Sequence, residues 1–182
     1  MSALPDFYDA SRLEQIAITL FHGWGYDFYR LENRLRADDL LVRSKASWLL
    51  GLAHRAAEAA EVGFRRETLP PPSREKPRPD PAALAGAQLL ERLSRAIGAA
   101  EAQVRAQPAP ENDRMTQRYR DEAATLARLV EADKRLIGQA ELLRTMLESR
   151  DGAWMIANAA AITAGIEAIA KTLSERQAVL MG

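Results

Sequence analysis

Along the whole chain the apolar residues recur at spacings of three and four, and nowhere do branched or aromatic residues alternate with polar ones over the length of a strand. A helix turns once in 3.6 residues, so this spacing collects apolar side chains on one face, whereas a strand needs a period of two. The pattern predicts helices packed on helices and no sheet.

The longest stripe runs Phe28, Leu31, Leu35, Val42, Leu49, Leu52, Ala56 and Ala59. It predicts a helix from Tyr26 or Asp27 to Arg65, on the order of 55–60 Å long at 1.5 Å per residue. Around Leu40-Leu41-Val42 and Trp48-Leu49-Leu50 the apolar surface spreads to more than one face, which predicts that this portion is central and covered on several sides. A shorter helix precedes it. Asp9 and Ser11 with Glu14 read as a capping box, and Gly23-Trp24-Gly25 interrupts the helix just after His22.

Six of the nine prolines lie between Pro70 and Pro81, and no helix survives such a density. Residues 68–81 are therefore expected to form a Pro-rich connector, able to cross about 35–40 Å outside a bundle at about 3.1 Å per residue. Asp80-Pro81 opens a third helix, with aspartate as N-cap and proline where its missing N–H costs nothing. Its stripe is Gly86, Leu90, Leu93, Ile97, Ala100 and Val104, ended by Pro108-Ala109-Pro110. Asn112 or Asp113 caps a fourth helix with the stripe Met115, Tyr119, Leu126, Leu129, Leu136, Ala140, Leu143 and Leu147. After a tight turn at Asp151-Gly152, a fifth carries Met155, Ala159, Ile162, Ile166, Ile169, Leu173 and Leu180.

The expected fold is all-α: a four-helix-bundle-like single domain over residues 1–182, of long antiparallel helices, with a short N-terminal helix and a Pro-rich crossover. The loops flanking the fourth helix are short, which predicts antiparallel neighbours on both sides of it. A length of 182 residues suffices for one such core.

Charge and composition narrow the function classes. Lys plus Arg and Asp plus Glu each count 25, so no net field draws the chain toward nucleic acid or an anionic membrane. Tyr29, Arg30, Arg34 and Arg36 resemble a base-stacking patch, but Glu32, Asp38 and Asp39 lie among them. The Ala153 to Leu173 stretch carries Asn158, Thr163, Glu167 and Lys171, which are costly in a bilayer. The chain opens Met1-Ser2-Ala3-Leu4-Pro5-Asp6, with no basic region or apolar run of a secretory signal, so the expected location is the cytoplasm.

Catalytic constellations are hard to find. There is no cysteine, and neither His22 nor His54 follows a glutamate at the spacing of a di-metal bundle motif, so no metal or cofactor is expected. No serine elbow or phosphate loop is present, and Gly23-Trp24-Gly25 reads as a tight turn.

Two features remain. Asp38 and Lys45 interrupt the second stripe, and Glu122 and Asp133 the fourth, at positions where leucine is expected. Charges do not enter a core unpaired, so these form cross-helix ion pairs, face solvent or a partner, or serve acid–base chemistry. Phe7, Tyr8, Phe21, Trp24, Tyr26, Phe28 and Tyr29 crowd the first 29 residues, although aromatics make up only 6% of the chain. Such side chains anchor interfaces or cap one end of a bundle.

The function expected from these features is that of a non-catalytic helical interaction protein (scaffold, adaptor or accessory subunit), with Phe21, Trp24, Tyr26, Phe28 and Tyr29 as partner contacts and self-association through the second helix. The alternative is a helical enzyme or cofactor binder. Its small-molecule pocket would lie between the aromatic region and the second helix, using His22, Tyr26, Tyr29, Asp38 or Asp39.

Overall fold

The computed structural model describes residues 4–24, 35–74, 78–107 and 122–181, with the backbone alone described at 35–39, 122–126, 180 and 181. Six helices account for most of these residues: α1 (Ala10–Gly23), α2 (Leu35–Thr68), α3 (Pro81–Ala106), α4 (Glu122–Leu147), α5 (Gly152–Ala157) and α6 (Ala159–Met181). No strand occurs among the described residues, and the fold is an all-α helical bundle. The expected start of the second helix at Tyr26 or Asp27, and the first part of the fourth with Met115 and Tyr119, lie outside the described residues.

Aspartates open three of the helices. Asp80 accepts the N–H groups of Ala82 and Ala83 with Pro81 in the first turn, as the sequence predicts. Asp151 accepts the Trp154 N–H at 2.7 Å, so Asp151-Gly152 is a helix start, while the turn before it is made by Ser149 in the left-handed region at φ 56°. At α1 the cap is Asp9 alone, accepting the Arg12 N–H at 3.1 Å. Ser11 falls inside the helix, and Glu14 reaches across to Lys134 of α4 at 2.5 Å instead of back to the cap. The expected capping box is therefore not formed.

The long helices pack in a ring in which α2 lies against α3 and α4, and α6 closes it against the same two. Arg43, early in α2, donates to the Gln107 carbonyl at the end of α3, so these two helices run antiparallel. A Cβ on Gly152, just past α4, would meet Phe64 near the end of α2, so α2 and α4 run parallel. Helices α3 and α4 run in opposite directions, as expected, but among the described residues they form no major packed pair. The expectation of antiparallel neighbours on both sides of the fourth helix therefore holds only for α6. Arg65 ties α2 to α3 through Glu91; its hydrogen bond to Glu61 and the two carboxylate charges raise its pKa above the ordinary value despite some desolvation.

Helix α4 and the middle of α2 share the centre of the molecule. Residues 136–140 are all buried, because α4 contacts α2 and α6 and is covered on its remaining side by α1. Helix α1 comes close because position 138 is glycine: a Cβ there would lie 2.6 Å from the Leu13 carbonyl oxygen and 2.8 Å from its Cα. Leu13, Ala17 and Phe21 are buried on this side, and the Gln139 amide donates to the Phe7 carbonyl at 3.0 Å.

Along α2 the buried face runs Val42, Ala46, Leu49, Leu50, Ala53, Ala57 and Ala60. The expected strict alternation of three and four has a period of 3.5, which drifts by about 20° per heptad around a straight helix. Leu52 and Ala56 are consequently only half-buried, and Ala59 is exposed. Val42, Leu49 and Leu50 are buried as the sequence predicts, but Leu40 and Trp48 are each 51% exposed, because α3 and α4 cover the other sides of α2. The expected fifth helix is broken at Asn158, whose side-chain amide donates to the Trp154 carbonyl at 2.8 Å and competes with the regular ladder. Of the connector, Pro70, Pro71, Pro72, Ser73, Arg74, Arg78 and Pro79 are exposed and outside helix.

Candidate functional site

One side of α2 carries exposed Leu40, Ser44, Trp48 and Arg55 with buried Gly51 among them, all within an arc of about 80° at 3.6 residues per turn. Together with Glu101 and Arg105 of α3 these residues line an open groove of about 490 Å³. Its floor is a polar lattice joining the two helices. Arg105 Nε donates to Ser47 Oγ at 2.7 Å, Ser47 Oγ donates to Glu101 Oε1 at 3.2 Å, and Arg105 Nη2 donates to the same carboxylate oxygen at 2.5 Å. Gly51 stands beside this carboxylate, since a Cβ there would approach Glu101 Oε1 to 3.5 Å.

One end of the groove is closed by Arg43, largely buried, whose Nη1 donates to the Gln107 carbonyl at 2.7 Å. Toward the other end stands Arg55, which is exposed. Among the lining residues Arg43, Arg55 and Arg105 are cationic and Glu101 is the single carboxylate. Trp48 and Leu40 add half-exposed apolar surface. The arrangement combines guanidinium and hydroxyl donors with half-exposed aromatic and aliphatic surface.

The expected aromatic residues meet this site at one corner. Phe21 is buried against α4, and Trp24 caps α1 with its ring edge-on to Phe21, the centroids 5.4 Å apart. Lys45 of α2 places its ammonium 4.6 Å from the Trp24 ring centroid and 5.9 Å from that of Trp48. Of the alternatives open for Lys45, an ion pair, solvent or a partner, or acid–base chemistry, the described contacts are two aromatic faces, each worth about 0.5–1 kcal/mol at partly exposed sites. Through Lys45, the end of α1 touches the wall of the groove. Tyr26, Phe28 and Tyr29 lie outside the described residues, as do the side chains of Asp38, Asp39 and Glu122. His22 is exposed on α1.

Asp133 is elsewhere. It is 0% exposed, on the side of α4 that faces α6, and accepts from Arg176 Nε at 2.6 Å, with Arg176 also 0% exposed. Two turns further along α4, Thr172 Oγ1 donates to Gln139 Oε1 at 2.9 Å in the same interface. The pairing imagined between Asp133 and the second helix is thus made with the last helix. His54 packs its ring over Gly98 of α3 and lies 3.6 Å from Glu58. Among the described residues no three His, Cys, Asp or Glu side chains are grouped to hold a metal ion. No described helix is long and apolar enough to cross a membrane.

The groove was not among the expected sites. Arg43, Ser47, Arg55, Glu101 and Arg105 interrupt no stripe, and the bonds that join them span separations such as the 58 residues between Ser47 and Arg105. Trp48 carried the one usable signal, a tryptophan adjoining an apolar run, and it pointed to the core. In comparisons with protein-family models, with curated proteins and with solved structures, nothing matches this chain.

Proposed function

We propose that this is a non-catalytic, cytoplasmic helical interaction protein, an adaptor or accessory subunit that seats another protein along the exposed face of α2. The observation that carries this reading is the groove between α2 and α3, where half-exposed Trp48 and Leu40 border a set of arginines. Tryptophan and arginine are the residues most enriched among those that dominate binding energy, and they do so when the partner desolvates them. The Trp24–Lys45–Trp48 stack supports the reading as well, because it braces the tryptophan that would be buried.

Site-specific photo-crosslinking tests it directly. A benzophenone amino acid replaces Trp48 in one preparation and the exposed Thr145 on α4 in another, and both are irradiated in extract of the cells that make the protein. Discrete adducts from position 48 that are missing from position 145 are expected. No adduct at 48, or the same set from both positions, overturns the reading. Sedimentation equilibrium of the purified protein separates a foreign partner from a second copy: a dimer abolished by Arg55→Glu makes a second copy the occupant.

A further inference from the structure

We propose that the groove takes an acidic helical segment of the partner, whose carboxylates bind Arg55 and Arg105 while its apolar side chains lie on Trp48 and Leu40. This rests on the interaction reading above and adds the chemistry of what is bound.

Charge is the first argument. Arg55 makes no hydrogen bond or ion pair among the described residues, so its planar donor set is available at the rim. Arg105 spends Nε on Ser47 and Nη2 on Glu101, which leaves Nη1 pointing to no partner in these bonds. The groove already shows the chemistry it prefers, because Glu101 is held there by a guanidinium and a hydroxyl. A guanidinium with free donors can go further and bind a carboxylate through two parallel N–H bonds. A partner that presented lysine or arginine would instead add to a surplus of positive charge.

Shape is the second. From Leu40 to Arg55 the lined face extends about 22 Å at 1.5 Å per residue, or four helical turns. The groove is open to solvent rather than enclosed. That suits a helix laid into a groove, with acidic residues three or four apart on one side and apolar residues on the other. A nucleic-acid strand fits less well. Tight binding of a phosphate backbone draws on the release of several counterions, which needs more neutralised phosphates than this groove supplies.

The test uses the full chain labelled with 5-fluorotryptophan, whose three indoles give separate fluorine resonances, assigned by substitution. The probes are a 15-residue peptide with leucine on one face and glutamate at i, i+4 on the other, its glutamine counterpart, inorganic phosphate, and a 15-nucleotide oligouridylate. The glutamate peptide is expected to shift the Trp48 resonance and not that of Trp154, and to bind at least about tenfold more tightly than the glutamine peptide. Arg55→Glu, at an exposed position, should remove that preference, and added salt should weaken binding. Equal binding of the two peptides, no shift at Trp48, or tighter binding of phosphate or oligouridylate overturns the proposal. Failure of the interaction reading looks different: crosslinking from position 48 then yields nothing, whereas adducts that persist unchanged in Arg55→Glu sink the acidic segment alone.

Discussion

At the scale of single residues, the Asp133–Arg176 pair is the costliest feature of the interior. Two charged groups with 0% exposure have surrendered their hydration, and a 2.6 Å contact between Nε and a carboxylate oxygen recovers part of it. Removing one member is worse than removing both. Asp133→Ala takes the carboxylate from a guanidinium that cannot reach water, and is expected to destabilise the protein by about 3–5 kcal/mol. Asp133→Leu combined with Arg176→Met should recover most of that loss. The midpoints of urea denaturation give both values, and a double variant as weak as the single one would mean that the pair is a net source of stability.

Among the elements, α4 and its cover α1 are the most interdependent. Helix α4 is buried on three sides, and the third is sealed only because Gly138 admits the backbone of Leu13. A methyl group at that position has nowhere to go, since the atoms it meets are main chain. Gly138→Ala is expected to cost about 1–3 kcal/mol, the range for overpacking a tight contact. The loss should be local. Amide exchange ought to accelerate across Ala10–Gly23 more than in α2 or α3, and a uniform acceleration would show that α1 is part of one cooperative unit with the rest. The same variant slackens the Trp24–Lys45 contact, so fluorescence of the indoles offers a second readout.

For the molecule as a whole, the connector and the ring order matter most. Exposed residues on both sides of its centre make the Pro-rich crossover the accessible backbone between α2 and α3. Trypsin should cut first after Arg74, since Lys76 and Arg78 each precede a proline and resist it, and initial cleavage between Leu40 and Leu52 would contradict the architecture. Because α2 and α3 are braced by Arg43–Gln107 at one end and Arg65–Glu91 toward the other, a chain nicked in the connector should remain associated on gel filtration. The groove lies between these two braces, so nicked protein is expected to retain position-48 crosslinks.

Among the described residues the sequence by itself determined the helical class and most of the helices, because those follow from local periodicity, caps and breakers that act within a turn or two. Asp80-Pro81 and the stripe from Gly86 to Val104 could be read without any knowledge of their neighbours. Interrupted stripes also marked Asp133 as a charge bound for an interface. Arg176, which stands three residues after Leu173 in the last stripe, carried the same mark and was legible by the same rule. Which side of a helix faces a neighbour, however, depends on what the neighbour is. Trp48 looks like core until α3 and α4 are seen to cover the other sides of α2, and the middle of α4 looks like any amphipathic helix until α1 covers it. The groove belongs wholly to that second class. Its arginines sit on two helices joined by a connector whose length says little about register, and only packing brings Arg105 to Ser47 and stands Arg55 along the same trough.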